Sequence, residues 1–354
     1  MIQRPGTRKR SVRYRWLAVG AATLYVALAA CTRNSTQDSP STREATDGER
    51  QKAAVDANGK QPEKIDADWR VHEFCLDDRG HIGFVQRSDH DDYVFVLAES
   101  DGTIVSTLNL KSILGQEPIF PRVAWINQSR WVIAAPEICA DGAAQAWWLD
   151  ADSGEFSAIS TEGYMFFWAI TALGDGGFVA TIELKTGTSP HNALVAHDAS
   201  GALLWQVDED PDTPAGRFAT NDVAVTAAGE IVLFEAAPSR GVCFYSRAGG
   251  FVRRIETVAR WGRQLAEPGW LTADARGGLL VYDYKCIPPL LRIDKAGELA
   301  GTIEPRFADG RALGALTGGV RTGAGGVMWV SEGRGLHRLN SAGIVEVTLG
   351  LRAD

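Results

Sequence analysis

The strongest constraint in this 354-residue sequence is an internal repeat. A small residue or glycine followed by a short β-rich run recurs as Gly80-HIGFV, Ser129-RWVIAA, Gly176-GFVATI, Gly229-EIVLFE, Gly277-GLLVYD and Gly325-GVMWVS, at steps of 49, 47, 53, 48 and 48 residues. A second marker is an apolar strand, a polar turn with glycine, and another strand. Its glycines are Gly102, Gly154, Gly201, Gly249, Gly297 and Gly343, at steps of 52, 47, 48, 48 and 46 residues. Two independent markers thus keep one period, near 48, for six cycles. Each cycle holds four short strands, A to D, with one glycine turn joining A to B and the other joining C to D. Alternating β-branched and aromatic runs with glycine turns are a hairpin signal. Four antiparallel strands every 40–50 residues make a propeller blade. A pair of β-sandwiches has no reason to repeat six times.

The expectation is therefore an all-β, six-bladed β-propeller over residues 68–354, four antiparallel strands per blade. The blades read as 69–110, 122–160, 165–208, 220–258, 268–305 and 314–350. Blade one starts with its own strand A and blade six ends with its own strand D, so the ring is expected to close without exchanging a strand. No stretch of the body keeps a helical period.

The N-terminus reads as an address. Arg4, Arg8, Lys9, Arg10, Arg13 and Arg15 precede a fifteen-residue uncharged run, Trp16 to Ala30. A membrane-spanning helix needs about 20 residues, and a basic head with a shorter apolar run is a secretory signal pattern. The run ends in Leu28-Ala29-Ala30-Cys31, which resembles the bacterial lipoprotein lipobox. That resemblance implies cleavage after residue 30, a diacylglycerol thioether on Cys31 and acylation of the new amine. Two or three chains at about 0.8 kcal/mol per buried CH₂ anchor a protein stably. Membrane lipid is thus the first expected partner. Thr32 follows the cysteine, and the lack of Asp there resembles outer-membrane sorting, on the periplasmic side or the surface, in a Gram-negative cell. Residues 31–67 carry only Val55 and Ile65 as large aliphatics and no aromatic. Such a segment cannot offset its ordering entropy by burial, and reads as a disordered tether.

The chain carries 36 basic and 44 acidic residues, and cleavage after residue 30 leaves 30 against 44, a net charge of −14. Nucleic-acid binding needs a basic footprint, so no nucleic-acid partner is expected. The A–B and C–D turns are tight, whereas the B–C and D–A connections on the opposite face are long and varied. Function on a rigid scaffold usually sits in such loops. Strand A lines the channel. Aligning the A–B turns puts His72, Pro121, Trp168, Asn221, Gly269 and Thr317 at one level, and Glu73, Arg122, Ala169, Asp222, Trp270 and Gly318 at the next. The mouth would then carry Glu73, Arg122 and Asp222, with His72 and Asn221 near. Carboxylates and an amide oxygen converging on a channel suit a hard cation such as Ca²⁺. Trp168, Trp261 and Trp270 map near the same face, where aromatics could stack on sugar rings or anchor a peptide. They equally suit packing between blades.

The strand-glycine-strand and apolar-Asp-x-x-Gly pattern resembles NHL-type six-bladed propellers, and describes a blade rather than a function. FATNDVAVTAAGEIVLF at 218–234 is similar to a segment of the gluconolactonase and senescence-marker-protein family. The resemblance implies that Asn221 ligates a divalent metal and that Glu73 stands for that family's early Glu. Blade five, GWLTADARG, lacks the family's Asn and later Asp. Asn221-Asp222 reads equally as a cap of the D–A turn, bonded to nearby backbone.

Apart from Cys31, four cysteines remain: Cys75, Cys139, Cys243 and Cys286. An even number in an exported chain favours disulfides. Cys243 opens strand C of blade four and Cys286 ends strand B of blade five, which makes Cys243–Cys286 the first candidate pair and Cys75–Cys139 the second; free thiols are the alternative. No nucleophile elbow, HExxH or phosphate loop is present. The expected function is binding or scaffolding of an envelope protein or glycan on the loop face. The alternative is a divalent-metal-dependent hydrolase or lactonase at the channel mouth.

Overall fold

The computed structural model describes residues 70–87, 93–110, 121–136, 144–185, 190–209, 218–235, 241–332 and 335–349. The signal segment, Cys31, the tether and Cys139 lie outside the described residues. Blade one is β1 (Arg70–Leu76), β2 (Ile82–Arg87), β3 (Tyr93–Ala98) and β4 (Ile104–Asn109). Blade two is β5 (Arg122–Asn127), β6 (Arg130–Pro136), β7 (Ala144–Asp150) and β8 (Phe156–Ile159). Blade three is β9 (Tyr164–Ala172), β10 (Phe178–Leu184), β11 (His191–His197) and β12 (Leu203–Asp208). Blade four is β13 (Phe218–Val225), β14 (Ile231–Glu235), β15 (Val242–Tyr245) and β16 (Phe251–Ile255). Blade five is β17 (Pro268–Ala273), β18 (Leu279–Asp283), β19 (Leu290–Ile293) and β20 (Leu299–Ile303). Blade six is β21 (Leu316–Thr322), β22 (Met328–Glu332), β23 (Gly335–Leu339) and β24 (Val345–Leu349).

Each blade is one antiparallel sheet whose strand order follows the sequence, so no strand is exchanged between β1–β4 and β21–β24. The first strands β1, β5, β9, β13, β17 and β21 stand side by side around the channel. All six blades fall where the repeat predicts them. One short helix was not legible: α1 (Thr257–Trp261), between blades four and five, which ends at Gly262 with φ 65°. A left-handed glycine after the last turn is a common helix stop.

The core is divided among the junctions. Six apolar clusters among the described residues each join two neighbouring blades. The middle strands serve two junctions at once because successive side chains face opposite sides of a sheet. In β15, Val242 and Phe244 face blade five, whereas Cys243 and Tyr245 face blade three.

The repeated C–D glycine has two causes. It adopts positive φ, 89° at Gly102, 87° at Gly201, 81° at Gly249, 85° at Gly297 and 83° at Gly343. It also receives the preceding blade's outer strand: a Cβ would lie 2.8 Å from Leu349 at Gly102, 2.8 Å from Trp205 at Gly249, 2.6 Å from Ile255 at Gly297 and 2.5 Å from Ile303 at Gly343. The aspartate of the motif accepts from the turn's own amides, as where Asp294 Oδ1 accepts from the N–H of Ala296 and of Glu298, both at 2.9 Å. Short polar side chains bonded two residues on are a general turn device.

Candidate functional site

Inner strands deliver the site. The β1–β2 ladder shifts register between Val71 and Glu73, and the β13–β14 ladder between Ala219 and Val223. Bulges of this kind re-aim a side chain. Glu73 and Asp222 enter the channel there, with side chains only 3% and 2% exposed. Burying a carboxylate is costly unless it is paired and hydrogen-bonded.

The partner that satisfies both is Arg321 of β21. Its Nη2 donates to Glu73 Oε1 at 2.9 Å and its Nη1 to Asp222 Oδ2 at 3.0 Å. Arg122 of β5 donates from Nη1 to the other oxygen of Glu73 at 3.1 Å. Asp222 also accepts from the backbone N–H of Val223 at 3.0 Å and of Leu271 at 2.8 Å. Trp270 completes the ring, its indole centroid 5.9 Å from the Arg321 guanidinium. Residues from blades one, two, four, five and six thus close the channel. Burial pushes the carboxyls of Glu73 and Asp222 up, against the opposing pull of the arginines. Burial alone would lower the Arg321 guanidinium, but Asp222 and Glu73 together raise it, so it stays charged.

Toward the A–B turns the channel widens into a cavity of about 280 Å³ lined by Cys75, Trp125, Thr171, Thr272, Arg321 and Thr322. Toward the loops stand Phe166 and Trp168, half-buried, with ring centroids 4.4 Å apart. Trp168 Nε1 is buried without a hydrogen-bond partner. Tyr284 is partly exposed and lies against the backbone of Gly269, where a Cβ would meet its ring at 2.1 Å.

Glu73, Arg122 and Asp222 do converge, with Trp270 beside them; Trp168 stands in inner strand β9, its ring against Phe166. The equivalent residue of blade six is Gly319, one past the aligned Gly318, and its Cβ would meet the Trp270 ring at 3.2 Å. His72 and Asn221 stand in β1 and β13, and their side chains lie outside the described residues. Trp261 is not at the mouth. It is buried in α1 between blades four and five and donates from Nε1 to Gly297 O at 2.9 Å.

The donor set does not fit a divalent cation. Both oxygens of Glu73 face arginines, both oxygens of Asp222 hold donors, and a guanidinium occupies the space between them. Among the described residues no group of three or more His, Cys, Asp or Glu side chains is placed to share one ion. The cysteines also differ from the expected pairing. Cys75, Cys243 and Cys286 are free thiols. Alternation turns Cys243 toward blade three, away from Cys286 in the β18–β19 turn of blade five. The second candidate pair rests on Cys139.

Six four-stranded sheets around an ion-paired channel define the chain as a six-bladed β-propeller. No protein-family model matches it, and no curated protein does. Among solved structures, a gluconolactonase of Xanthomonas campestris is similar at TM-score 0.51 and 14% identity, over 76% of this chain and 85% of that one. A protein of unknown function from Bacteroides caccae is similar at TM-score 0.49 and 13% identity, over 72% and 89%. A chain of a nidogen–laminin complex gives TM-score 0.48 and 14% identity, over 71% and 84%. At these identities the shared property is the fold.

Proposed function

We propose that this chain is a binding module of the cell envelope, held by an acylated Cys31 and presenting the loop face of its propeller to a protein or glycan. The observation that carries the choice is the Arg321 guanidinium seated between Glu73 and Asp222. The carboxylates a metal-dependent lactonase would need are already neutralised. A rigid ring that displays partly exposed aromatics such as Phe166, Trp168 and Tyr284 loses little conformational freedom on binding. The lipobox supports the anchor, and the tether supports display away from the bilayer.

Three measurements test this reading. Acylation is read by metabolic palmitate labelling, expected in the wild type and lost in Cys31→Ser. Metal dependence is read by melting the full chain with chelator and with Ca²⁺, Mg²⁺ or Zn²⁺, where no shift is expected. A metal-induced rise in Tm that Asp222→Asn abolishes returns the lactonase reading. A photo-crosslinking residue at Phe166 is expected to capture envelope material that the same residue at Ala227, in an A–B turn, does not. Equal capture from both faces overturns the loop-face assignment.

A further inference from the structure

Blade five serves as a control for the seam where blade six meets blade one. The first residue of its A–B turn is Asp274, whose N–H donates to Gly278 O at 2.8 Å. The buried Asp274 carboxylate stands 3.1 Å, Oδ2 to Nε, from Arg292 of β19. Ala273 pairs with Leu279, and Arg292 lies opposite Leu280. Arg292 also turns toward the next blade, with Nη2 3.9 Å from Met328 Sδ. Blade six repeats this frame. Thr322 pairs with Met328, Arg338 lies opposite Trp329, and the Gly323 N–H donates to Val327 O at 2.9 Å. Arg338 is thus the counterpart of Arg292, and Gly323 stands where Asp274 stands. Blade six keeps the arginine and has no side chain in place of its carboxylate.

A cavity of about 260 Å³ lies at that place, lined by Gly323, Val327, Trp329 and Arg338 of blade six and by Leu76 and Arg79 of blade one. Arg338 pairs with Glu346 of β24, Nε to Oε2 at 3.5 Å, with side chains 33% and 46% exposed. Exposed pairs of this kind contribute little. Arg79 donates from Nη2 to Gln128 O at 3.1 Å, and its Nε stands 3.5 Å from Asp77 Oδ2. Asp77 is otherwise filled by the N–H groups of Arg79 and His81 and by the His81 ring. The exposed Asp78 also lines the cavity.

We propose that this seam cavity binds a small organic monocarboxylate. The carboxylate takes the place on Arg338 that Asp274 holds on Arg292, and the apolar part of the ligand lies against Leu76, Val327 and Trp329. A guanidinium is the side chain best matched to a carboxylate, through charge-assisted hydrogen bonds in one plane. Asp78 and Glu346 oppose a second negative charge, which favours a monocarboxylate over phosphate. Both are exposed, where water and salt screen them. Residues of both blades line the site, so a bound acid stabilises the closed ring by mass action. The cavity lies among the A–B turns, on the face opposite the long loops, and is independent of the loop-face reading.

The test uses para-fluorobenzoate, with para-fluorobenzamide as its uncharged match, read by fluorine NMR on the full chain. Broadening of the benzoate line is expected, with none of the amide line. Arg338→Gln should weaken benzoate binding about tenfold, the worth of one charge-assisted hydrogen bond. Gly323→Asp supplies the carboxylate from the chain itself. Gly323 has φ −98°, which any residue adopts, and a Cβ there would first meet Leu76 Cδ1, the end of a flexible side chain, at 3.1 Å. This variant should lose benzoate binding and melt above Gly323→Asn, which has the same shape without the charge. An unaffected benzoate line, or equal broadening of both probes, overturns the proposal. So does benzoate binding that survives Arg338→Gln undiminished, which puts the probe elsewhere on the chain. Equal melting of Gly323→Asp and Gly323→Asn overturns it as well. Should the position-323 variants fail to fold, Arg338→Gln decides alone.

Discussion

Arg321 of blade six reaches across the channel to Asp222 of blade four, Nη1 to Oδ2 at 3.0 Å, while its other terminal nitrogen holds Glu73 of blade one. One side chain therefore links three inner strands, two of them on opposite sides of the ring. Removing it leaves Asp222 buried with backbone donors alone and Glu73 with Arg122 as its one cationic partner. Arg321→Leu is expected to lower unfolding free energy by about 3–5 kcal/mol, the usual cost of breaking a buried ion pair. Adding Glu73→Gln and Asp222→Asn to that variant should restore part of the loss, because the buried carboxylate charges are then absent. Urea unfolding of the wild type, the single variant and the triple variant checks this, and equal stability of single and triple variants would contradict it.

The glycine of the C–D turn gives a matched comparison. Gly297 and Gly310 have nearly equal positive φ, 85° and 88°. A Cβ at Gly310 meets nothing within 4 Å, whereas one at Gly297 would lie 2.6 Å from Ile255 Cδ1. Gly310→Ala should cost about 1–2 kcal/mol, from left-handed backbone strain. Gly297→Ala should cost clearly more. The difference in denaturant midpoints isolates the contact between blades four and five.

His197 is fully buried, with Nδ1 2.9 Å from Gly201 O and Nε2 3.0 Å from Tyr164 Oη. The carbonyl can only accept, so Nδ1 donates to it and Nε2 accepts from the hydroxyl. This is a neutral ring, and burial holds its pKa below the ordinary 6.5. The unfolded chain then binds the proton more readily than the folded one. The contribution is full above about pH 6.5 and shrinks as pH falls, with a slope approaching about 1.4 kcal/mol per pH unit. Unfolding of His197→Gln between pH 5 and 8 should show a flatter acid limb than the wild type. His337, also lowered by burial, should retain its own share.

The three described thiols should be slow to react. Burial pushes Cys243 up to about 12, and Cys75 and Cys286 also above the ordinary thiol range. The thiolate is the reactive form. A native DTNB titration should therefore leave these three unmodified, and denaturant without reductant should release them. A Tm that falls on adding reductant would show a bond among them.

The blade boundaries were legible because the glycine at each C–D turn takes a positive φ, and at Gly102, Gly249, Gly297 and Gly343 a neighbouring outer strand also leaves no room for a Cβ. Glu73, Arg122 and Asp222 were legible as neighbours because the A–B turns fix the level of the inner strands. Arg321 was not. It lies two residues beyond the level of Glu73, beside Cys75, Thr171 and Thr272, and only its length brings the guanidinium back to the carboxylates. An arginine in an inner strand whose counterparts are small was the available signal. The cysteine pairing failed on parity: Cys243 and its neighbours face opposite blades, and a loop-face level says nothing about side. Trp261 failed because a five-residue helix has no period to detect.

Since each sheet is completed by one continuous stretch, the order of the blades is cyclic. A permuted gene that begins at β5 and ends at β4, with Leu349 joined to Arg70 by a linker, encodes the same six sheets. The ring thus has no obligatory first blade, and moving the start changes only the point on the disc from which any fused segment departs.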